Sequence, residues 1–404
     1  MESQSRGCPC FAHQSIRLRD YVLEKAAITI MRVLKTIREY AGVALLDLPT
    51  FRAAFRRGLQ NPSQQSGSWI SLCNRIEQLT PNPNGPGVHC DWKWGSELHA
   101  CRVLPKLGRD LMETALRDWP IRFANGPISN SGPRISFIFA HSGRDRVKQL
   151  RRTIRSVFAQ RDVRVECIVV GQSPSPVEGS LPNGIQFRHL EKGSLPGGWY
   201  KSWAYNVGAR IATGDVLVFQ DGDVCVPERY ASEVGRTILY EGYNAASLQR
   251  FLFYLDLETT QRIERKDTTE VRCVPERVFQ NWKGGTIAVR RDAFFELGGF
   301  DEGFVDWGGE DDEFYDRCGA LQHCRYGYLP FVHLWHRPQQ DRKLADNPNI
   351  SCIMPWRMQI PVTERILELT SRDFGNPKRP DPLISYKSLI RRASETQIIQ
   401  LAGT

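Results

Sequence analysis

No stretch of this sequence has the roughly 18 consecutive apolar residues that a membrane-spanning helix needs. The longest apolar run near the start, residues 26–31, ends at Arg32. The first 14 residues are polar and lack the order of an export signal, in which a charged region precedes an apolar one and a small-residue cleavage site. We therefore expect a chain that does not cross a membrane and that works in the cytoplasm, either free or peripheral to the inner membrane.

Zinc-site and disulfide patterns are also missing. The 11 cysteines are odd in number and have no repeated spacing, which, without an export signal, predicts reduced thiols. Cys8-Pro9-Cys10 is one pair without a second, and one pair is weak support for a metal site. The helical His-Glu-x-x-His pattern is absent, which argues against a zinc hydrolase built on His333 and His336.

The charge is abundant but unevenly distributed. The 404 residues carry 54 Lys and Arg against 45 Asp and Glu, a net charge of +9, and 41% are hydrophobic, so we expect a buried core. The length suits two or three globular units, or one large α/β domain with helical appendages. A basic surplus suits nucleic acid, an anionic membrane or a phosphorylated substrate equally. No RNA-recognition or zinc-finger signature is present, so we expect no nucleic-acid partner. Residues 301–316 contain eight acids and no Lys or Arg, which leaves +17 on the remainder.

Three regions follow one another along the chain. Residues 1–130 are predicted to be a mainly helical region of unknown role, 131–355 the main globular domain, and 356–404 a helical extension and tail. Within 15–46, apolar residues recur at steps of three and four, which predicts an amphipathic helix with a basic polar face. Such a helix either lies on anionic lipid or, as we favour, docks on its own domain.

An alternation of strands and helices begins after the Gly- and Pro-rich segment 126–133. Apolar runs at 135–140, 165–170 and 216–219 predict buried strands, and helical periodicity at 147–158 and 200–212 predicts the helices between them. This pattern is typical of a doubly wound α/β fold with a mostly parallel sheet. Ligands then gather at the carboxyl ends of the strands.

Four groups of polar residues stand near such strand ends. Asp221 and Asp223 follow the strand at 216–219 and suit a divalent cation held against a diphosphate. His333 and His336 end an apolar run and are candidates for the same ion. Arg144-Asp145-Arg146 precedes a helix, where guanidinium groups suit a diphosphate or nucleotide. Each group also has a purely structural alternative. The aspartates would form a turn, the histidines would be packed core residues, and the arginines would be ordinary exposed side chains.

The fourth group is the acidic run after Trp307. An acidic first turn that complements a helix dipole explains one or two carboxylates, but residues 310–313 are four acids in a row. Crowded carboxylates raise one another's pKa, which suits a general base, and an aromatic ring offers a sugar an apolar face. We therefore expect the acidic block to lie on the acceptor side of an active site.

Taken in order, these motifs resemble the GT-A glycosyltransferases over residues 134–340. Residues 153–170 resemble the start of family 2 glycosyltransferases. Asp221-Gly222-Asp223 resembles their metal-binding Asp-x-Asp. The block 307–312, Trp-Gly-Gly-Glu-Asp-Asp, is similar to that of β-1,4-galactosyltransferases and of bacterial chondroitin-polymerase-type enzymes. The resemblance implies an α/β GT-A fold, Rossmann-like, with a helical N-terminal region and a helical C-terminal extension.

The resemblance also implies a role for each matching residue. It makes Asp311 the catalytic base, Asp223, His336 and His333 metal ligands, Arg144, Arg146, Gln172, Lys201, Asn206, Asp221, Trp282, Gly284 and Gly285 donor-binding residues, and Trp307, Glu310 and Asp312 acceptor-binding residues. Gln172 stands where many family 2 enzymes have an acidic residue, and the bulk of Trp282 is expected to restrict the donor sugar.

The activity so implied is metal-dependent and inverting. A hexose or N-acetylhexosamine would pass from a UDP-sugar to a hydroxyl of a glycan or glycolipid, with Mn²⁺ or Mg²⁺ as cofactor, in polysaccharide or glycoconjugate biosynthesis. The alternative from another class is a non-catalytic carbohydrate- or nucleotide-sugar-binding protein on the same fold. UDP release in the presence of an acceptor separates the two.

Overall fold

The computed structural model describes residues 68–380 except 75–76, 91–95, 192–194, 196–197, 270–272 and 338–346, together with scattered helical positions between 30 and 48. The Cys8-Pro9-Cys10 pair and the predicted tail after Pro380 lie outside the described residues.

Strands and helices alternate along the described chain. The strands are β1 (Leu79–Pro81), β2 (Val88–Cys90), β3 (Arg134–His141), β4 (Arg164–Gly171), β5 (Ile185–His189), β6 (Val216–Gln220), β7 (Val224–Cys225), β8 (Ala245–Ala246), β9 (Gln249–Tyr254), β10 (Arg277–Gln280), β11 (Thr286–Arg290), β12 (His323–Cys324) and β13 (Leu329–His333). The α-helices are α1 (His99–Val103), α2 (Pro105–Asp118), α3 (Val147–Phe158), α4 (Lys201–Ile211), α5 (Tyr230–Gly235), α6 (Leu257–Lys266), α7 (Arg291–Glu296), α8 (Glu310–Cys318), α9 (Met354–Gln359) and α10 (Val362–Thr370). The predicted strands and helices between 135 and 219 are confirmed to within one or two residues at each end.

The central sheet has seven strands in the order β12-β8-β11-β6-β3-β4-β5. Strands β5, β4, β3 and β6 are parallel neighbours, whereas β11 runs antiparallel to both β6 and β8. Helices cover both faces, so β6 is buried along its whole length, and this explains its unbroken apolar sequence. The mostly parallel α/β sheet predicted from the sequence is confirmed.

A second sheet positions the residues that follow β6. Its four strands have the order β10-β9-β13-β7. The short turn at Asp221–Asp223 connects β6 of the first sheet to β7 of the second. Strand β13 pairs antiparallel with β7, so that His333 lies opposite Val224, and Leu334 donates its backbone N–H to the Asp223 carbonyl at 2.8 Å. This register brings the end of β13 beside the Asp-x-Asp turn.

Residues on both sides of the predicted boundary near 130 share one hydrophobic core. Trp69, Leu98 and Leu111 are buried in the same cluster as Phe137 of β3 and Val169 of β4. The described part of the N-terminal region therefore packs directly onto the transferase sheets. The boundary drawn from composition stays a prediction, since a linker sequence does not reveal what the preceding segment packs against.

The helix ahead of residue 48 behaves differently from the rest. At its described positions, the side chains of Ile30, Met31, Leu34 and Ile37 are all more than half exposed. The docking on the protein's own domain that the sequence favoured is therefore not seen at these positions. Among the described helices, none combines the length and the apolar character needed to cross a bilayer.

An aromatic cluster under α8 provides a test of the core. Phe300 is 1% exposed, and its ring centroid lies 4.1 Å from that of Phe314 and 4.9 Å from that of Phe219. Phe300→Ala should lower the free energy of unfolding by about 3–5 kcal/mol, because a cavity replaces the ring. Tyr240→Ala, at a side chain 74% exposed, should change it by less than about 0.5 kcal/mol. Urea unfolding measures both, and similar losses would contradict this assignment of the core.

Candidate active site

A cavity of about 520 Å³ opens where the two sheets meet. Its lining comes from the end of β3, the turn after β6, the segment before β11, the start of α8 and the residues after β13. The cavity therefore lies at the carboxyl ends of the parallel strands β3 and β6, where an α/β sheet is expected to bind its ligand.

Three side chains in this cavity form a candidate cation site. Nε2 of His336 lies 3.2 Å from Oδ2 of Asp223, and Nε2 of His333 lies 3.6 Å from Oδ1 of the same carboxylate. One ligand atom from each residue lies within 4.8 Å of the others. All three side chains are at most 13% exposed, so water competes little for them.

The two imidazoles are held in orientation. Nδ1 of His336 donates to the Arg337 carbonyl at 3.0 Å, which leaves the Nε2 lone pair directed at the site. The His333 ring stacks on Tyr254 with centroids 4.1 Å apart. Two nitrogen donors beside one carboxylate are poor ligands for Mg²⁺, which prefers oxygen, and suit a first-row transition-metal ion better.

Lys201 links the Asp-x-Asp turn to the acidic start of α8. As the first residue of α4, it places its Nζ 3.1 Å from carboxylate oxygens of Asp221, Glu310 and Asp311. Burial alone would lower the pKa of Lys201, but the carboxylates, Asp221 first, raise it well above its ordinary value. The ammonium therefore stays charged and is shared between the Asp-x-Asp turn and the start of α8.

Asp311 has the character of a proton acceptor. Burial, together with the charges of Glu310 and Asp221, raises the pKa of Asp311 to about 8, and the charge of Lys201 limits the rise. Such a carboxylate accepts a proton near neutral pH far more readily than an ordinary aspartate. Burial also raises the pKa of Asp312, which Lys283 opposes from 3.4 Å.

Two glycines make the turn that delivers these acids. Gly308 and Gly309 have φ values of +106° and +89°, a region that favours glycine. A Cβ on Gly309 would also lie 2.8 Å from the Phe304 ring. The chain therefore enters α8 abruptly, and the first-turn acids meet the positive end of the helix dipole at the cavity wall.

The acidic block divides in two, contrary to the expectation that all of it faces the acceptor. Asp306, Glu310, Asp311 and Asp312 line the cavity. The other four, Asp301, Glu302, Glu313 and Asp316, pair with groups elsewhere. On α8, Glu313 and Asp316 project away from the face that carries Asp311 and pair with Arg365. Asp301 and Glu302 lie before the helix.

Most of the predicted donor residues line the cavity, and three do not. Arg146, Lys201, Asp221, Trp282, Gly284 and Gly285 lie on its wall. Outside it, Arg144 donates to the Ser175 hydroxyl at 2.9 Å. Gln172 is buried and exchanges hydrogen bonds with the Tyr200 backbone. Asn206 is buried and bonds Phe300 and Glu302. Gln172 and Asn206 thus hold backbone segments behind the cavity, where they make no contact with its contents.

The lining residues that were not predicted as site residues include His141, Trp199, Tyr254 and Arg337. His141 ends β3 and is 4% exposed, and burial lowers its pKa, so its imidazole is neutral. Its position at the end of a buried strand could have identified it from the sequence. Trp199 and Tyr254 come from a loop and from the second sheet, and only the tertiary structure brings them to the cavity.

Two family models match the chain. The glycosyl transferase family 2 model matches residues 144–298, and the model described as the N-terminal domain of galactosyltransferase matches residues 273–331. Together they contain the whole Asp-x-Asp turn and the acidic start of α8. No curated protein matches the chain.

Several solved structures are loosely similar. The catalytic domain of Drosophila β1,4-galactosyltransferase 7 with xylobiose has 17% identity, a TM-score of 0.32, and coverage of 52% of this chain and 76% of its own. A mutant of that enzyme with manganese, UDP-Gal and xylobiose has 15% identity, a TM-score of 0.32, and coverage of 53% and 80%. A mannosyltransferase from Pyrobaculum calidifontis with GDP-Man and Mn²⁺ has 14% identity, a TM-score of 0.38, and coverage of 74% and 83%. Likeness this loose says nothing about individual residues.

The sheet order is that of an α/β protein with a mostly parallel sheet, and the two matched models place a transferase region at residues 144–331. The chain is a glycosyltransferase, and the motifs that resemble family 2 enzymes and galactosyltransferases fall within the matched regions.

The candidate cation site makes a direct prediction. Asp223→Asn should weaken Mn²⁺ binding in the presence of UDP by at least about 10-fold, because the only carboxylate of the three ligand residues loses its charge. Isothermal titration calorimetry measures the affinity. Asp306→Asn is the matched control, since it removes an equal charge from the same cavity outside the ligand group. An equal loss in both variants would show a general field effect instead of ligation.

Proposed function

We propose that the enzyme transfers a hexose or N-acetylhexosamine from a UDP-sugar to a hydroxyl of a glycan or glycolipid, with inversion, in polysaccharide or glycoconjugate biosynthesis. The observation that carries the proposal is the placement of a cation site and a basic carboxylate in one cavity, joined through Lys201. The match to the galactosyltransferase model supports a UDP-activated hexose as donor.

The donor half of the cavity suits a nucleoside diphosphate. Asp223, His333 and His336 would hold Mn²⁺, which when bound would stabilise the charge on the leaving diphosphate. Arg146 lies beside them, with Nη1 3.7 Å from Oδ2 of Asp223. Its guanidinium is therefore placed to share the neutralisation of the phosphates.

The acceptor half suits a sugar hydroxyl. Asp311 removes the proton as the hydroxyl oxygen attacks the anomeric carbon, and a single displacement inverts the configuration. Glu310 and Asp312 flank the base and accept hydrogen bonds from neighbouring hydroxyls. Trp307, also on the cavity wall, offers the apolar face of a pyranose ring a surface for stacking.

Trp282 lies on the donor side. Its Nε1 would lie 3.0 Å from a Cβ placed on Gly284, so the indole packs closely over the glycine backbone. Its bulk narrows the space between the cation site and Asp311, and in the proposal it limits which donor sugars fit.

Loss of the base should separate binding from turnover. Asp311→Asn preserves size and a hydrogen-bonding group, so the variant should fold and bind UDP with Mn²⁺ at near wild-type affinity. Its transfer rate should fall by about 10²- to 10⁴-fold, the usual contribution of general base catalysis. UDP release with a panel of UDP-sugars and acceptors measures it, and near-normal turnover would refute the assignment of Asp311.

The same assay tests the non-catalytic alternative. A binding protein on this fold would bind UDP with Mn²⁺ in both the wild type and Asp311→Asn, and neither would release UDP with any acceptor. Wild-type turnover that depends on Asp311 excludes that alternative.

Removing the charge of Glu310 and removing the charge of Lys201 should shift the pH–kcat profile in opposite directions. The base must be deprotonated, so kcat rises with pH until it passes the pKa of Asp311, which is about 8. Glu310→Gln removes a charge that raises this pKa, so the pH–kcat profile should move to lower pH. Lys201→Met removes the charge that lowers it, so the profile should move to higher pH. Shifts in the same direction in both variants would contradict the proposed electrostatics.

A further inference from the structure

We infer that residues 347–372, which we call the C-terminal brace, position the catalytic base, with Arg365 as the principal positioning residue. The inference rests on the proposed role of Asp311. It concerns a segment that lies after both matched family regions, the later of which ends at residue 331. Four sets of contacts connect the brace to α8 and to the segment before it.

The first set holds the backbone around Trp307. Nδ2 of Asn347 donates to the Trp307 carbonyl at 2.7 Å, and Nδ2 of Asn349 donates to the Val305 carbonyl at 2.8 Å. Asn349 is 1% exposed. The loop that presents Trp307 to the cavity is therefore anchored from behind by two amides of the brace.

The second set packs against the glycine turn. A Cβ on Gly308 would lie 2.9 Å from Cδ1 of Ile350, and a Cβ on Gly309 would lie 3.2 Å from Cβ of Met354. The brace therefore closes over the backbone at the point where α8 begins. Any movement of the brace shifts the residue immediately before Glu310.

The third set fixes the rotation of α8. Nη1 of Arg365 lies 2.8 Å from Oε1 of Glu313, and Nη2 lies 2.5 Å from Oδ2 of Asp316. Arg317 also pairs with Glu313 at 2.7 Å, and neither of these two side chains is exposed. Because Arg365 pairs with α8 two and five residues beyond Asp311, it sets the direction in which the base points.

A second ion-pair group attaches the brace to the segment before α8. Arg357 and Arg372 reach Asp301 at 3.0 and 3.1 Å, and Arg357 also pairs with Glu368 at 2.5 Å. In the whole network four arginines face four carboxylates. Buried pairs of this kind add little net stability over apolar packing, because desolvation offsets the attraction. Their directional contacts instead restrict geometry, which is the property that a catalytic base requires.

Arg365→Met tests the inference. In this variant Glu313 keeps its pair with Arg317, whereas Asp316 loses its contact with residue 365. We expect kcat to fall by about 10- to 100-fold, since a displacement of about 1 Å costs about that much. The affinity for UDP with Mn²⁺ should stay within about twofold of wild type, because the donor ligands are on other elements. Arg365→Lys, which keeps the charge but not the two-pronged contact, should lose a smaller part of kcat.

Arg152→Met is the matched control. Arg152 is also a buried guanidinium that joins two helices, bonding Asp267 and the Glu264 carbonyl. Its loss should lower the thermal midpoint without changing kcat measured well below that midpoint.

Three outcomes bear on the inference. Unchanged kcat in folded Arg365→Met, or equal losses of kcat in it and in Arg152→Met, would overturn it. If Arg365→Met does not fold, Arg365→Lys decides, and wild-type kcat there would overturn the inference. Asp311→Asn measured alongside separates the two proposals. An active Asp311→Asn refutes the base itself, whereas an inactive Asp311→Asn with a fully active Arg365→Met refutes only the brace.

Discussion

The structure depends on the neutralisation of eight carboxylates that lie within sixteen residues. Left together they would repel one another and oppose folding. Buried cations separate them into two groups. The arginines of α8 and the brace pair with Asp301, Glu313 and Asp316. Lys201 pairs with Glu310 and Asp311. Each group therefore has its own counter-charges, and only the second is left with an excess of negative charge facing the cavity.

That excess gives the active site its chemistry. Lys201 is one ammonium among three carboxylates, so it neutralises them incompletely, and Asp311 retains a pKa raised to about 8 by burial and by its neighbours. The same ammonium contacts Asp221 at the end of β6. A change of charge on the donor side therefore affects the pKa of Asp311 through the single side chain of Lys201. The donor and acceptor sides of the cavity share one electrostatic environment.

Sequence reasoning located cavity residues where they stand at a strand end. Asp221 and Asp223 follow β6 and His333 ends β13, and the antiparallel pairing of β13 with β7 brings them together. It did not locate Gln172, which follows β4, or Asn206, which lies within α4: neither lines the cavity, and they bond the Tyr200 backbone and Phe300. A local pattern does not distinguish a polar side chain that faces the cavity from one that faces the core. Lys201 was predicted to bind the donor, yet its link to Asp311 depends on a helix more than a hundred residues away.

The sequence by itself determined the α/β alternation, the strand ends that carry the polar residues, and the presence of a base candidate beside Trp307. These follow from periodicity and from short-range spacing, which are properties of neighbouring residues. Only the tertiary structure decided which four of the eight acids reach the cavity, and that the segment after residue 347 supports the helix that carries three of them. Ion pairs between residues some fifty positions apart set that division, as Arg365 and Glu313 do, because charge is balanced in space and not along the chain.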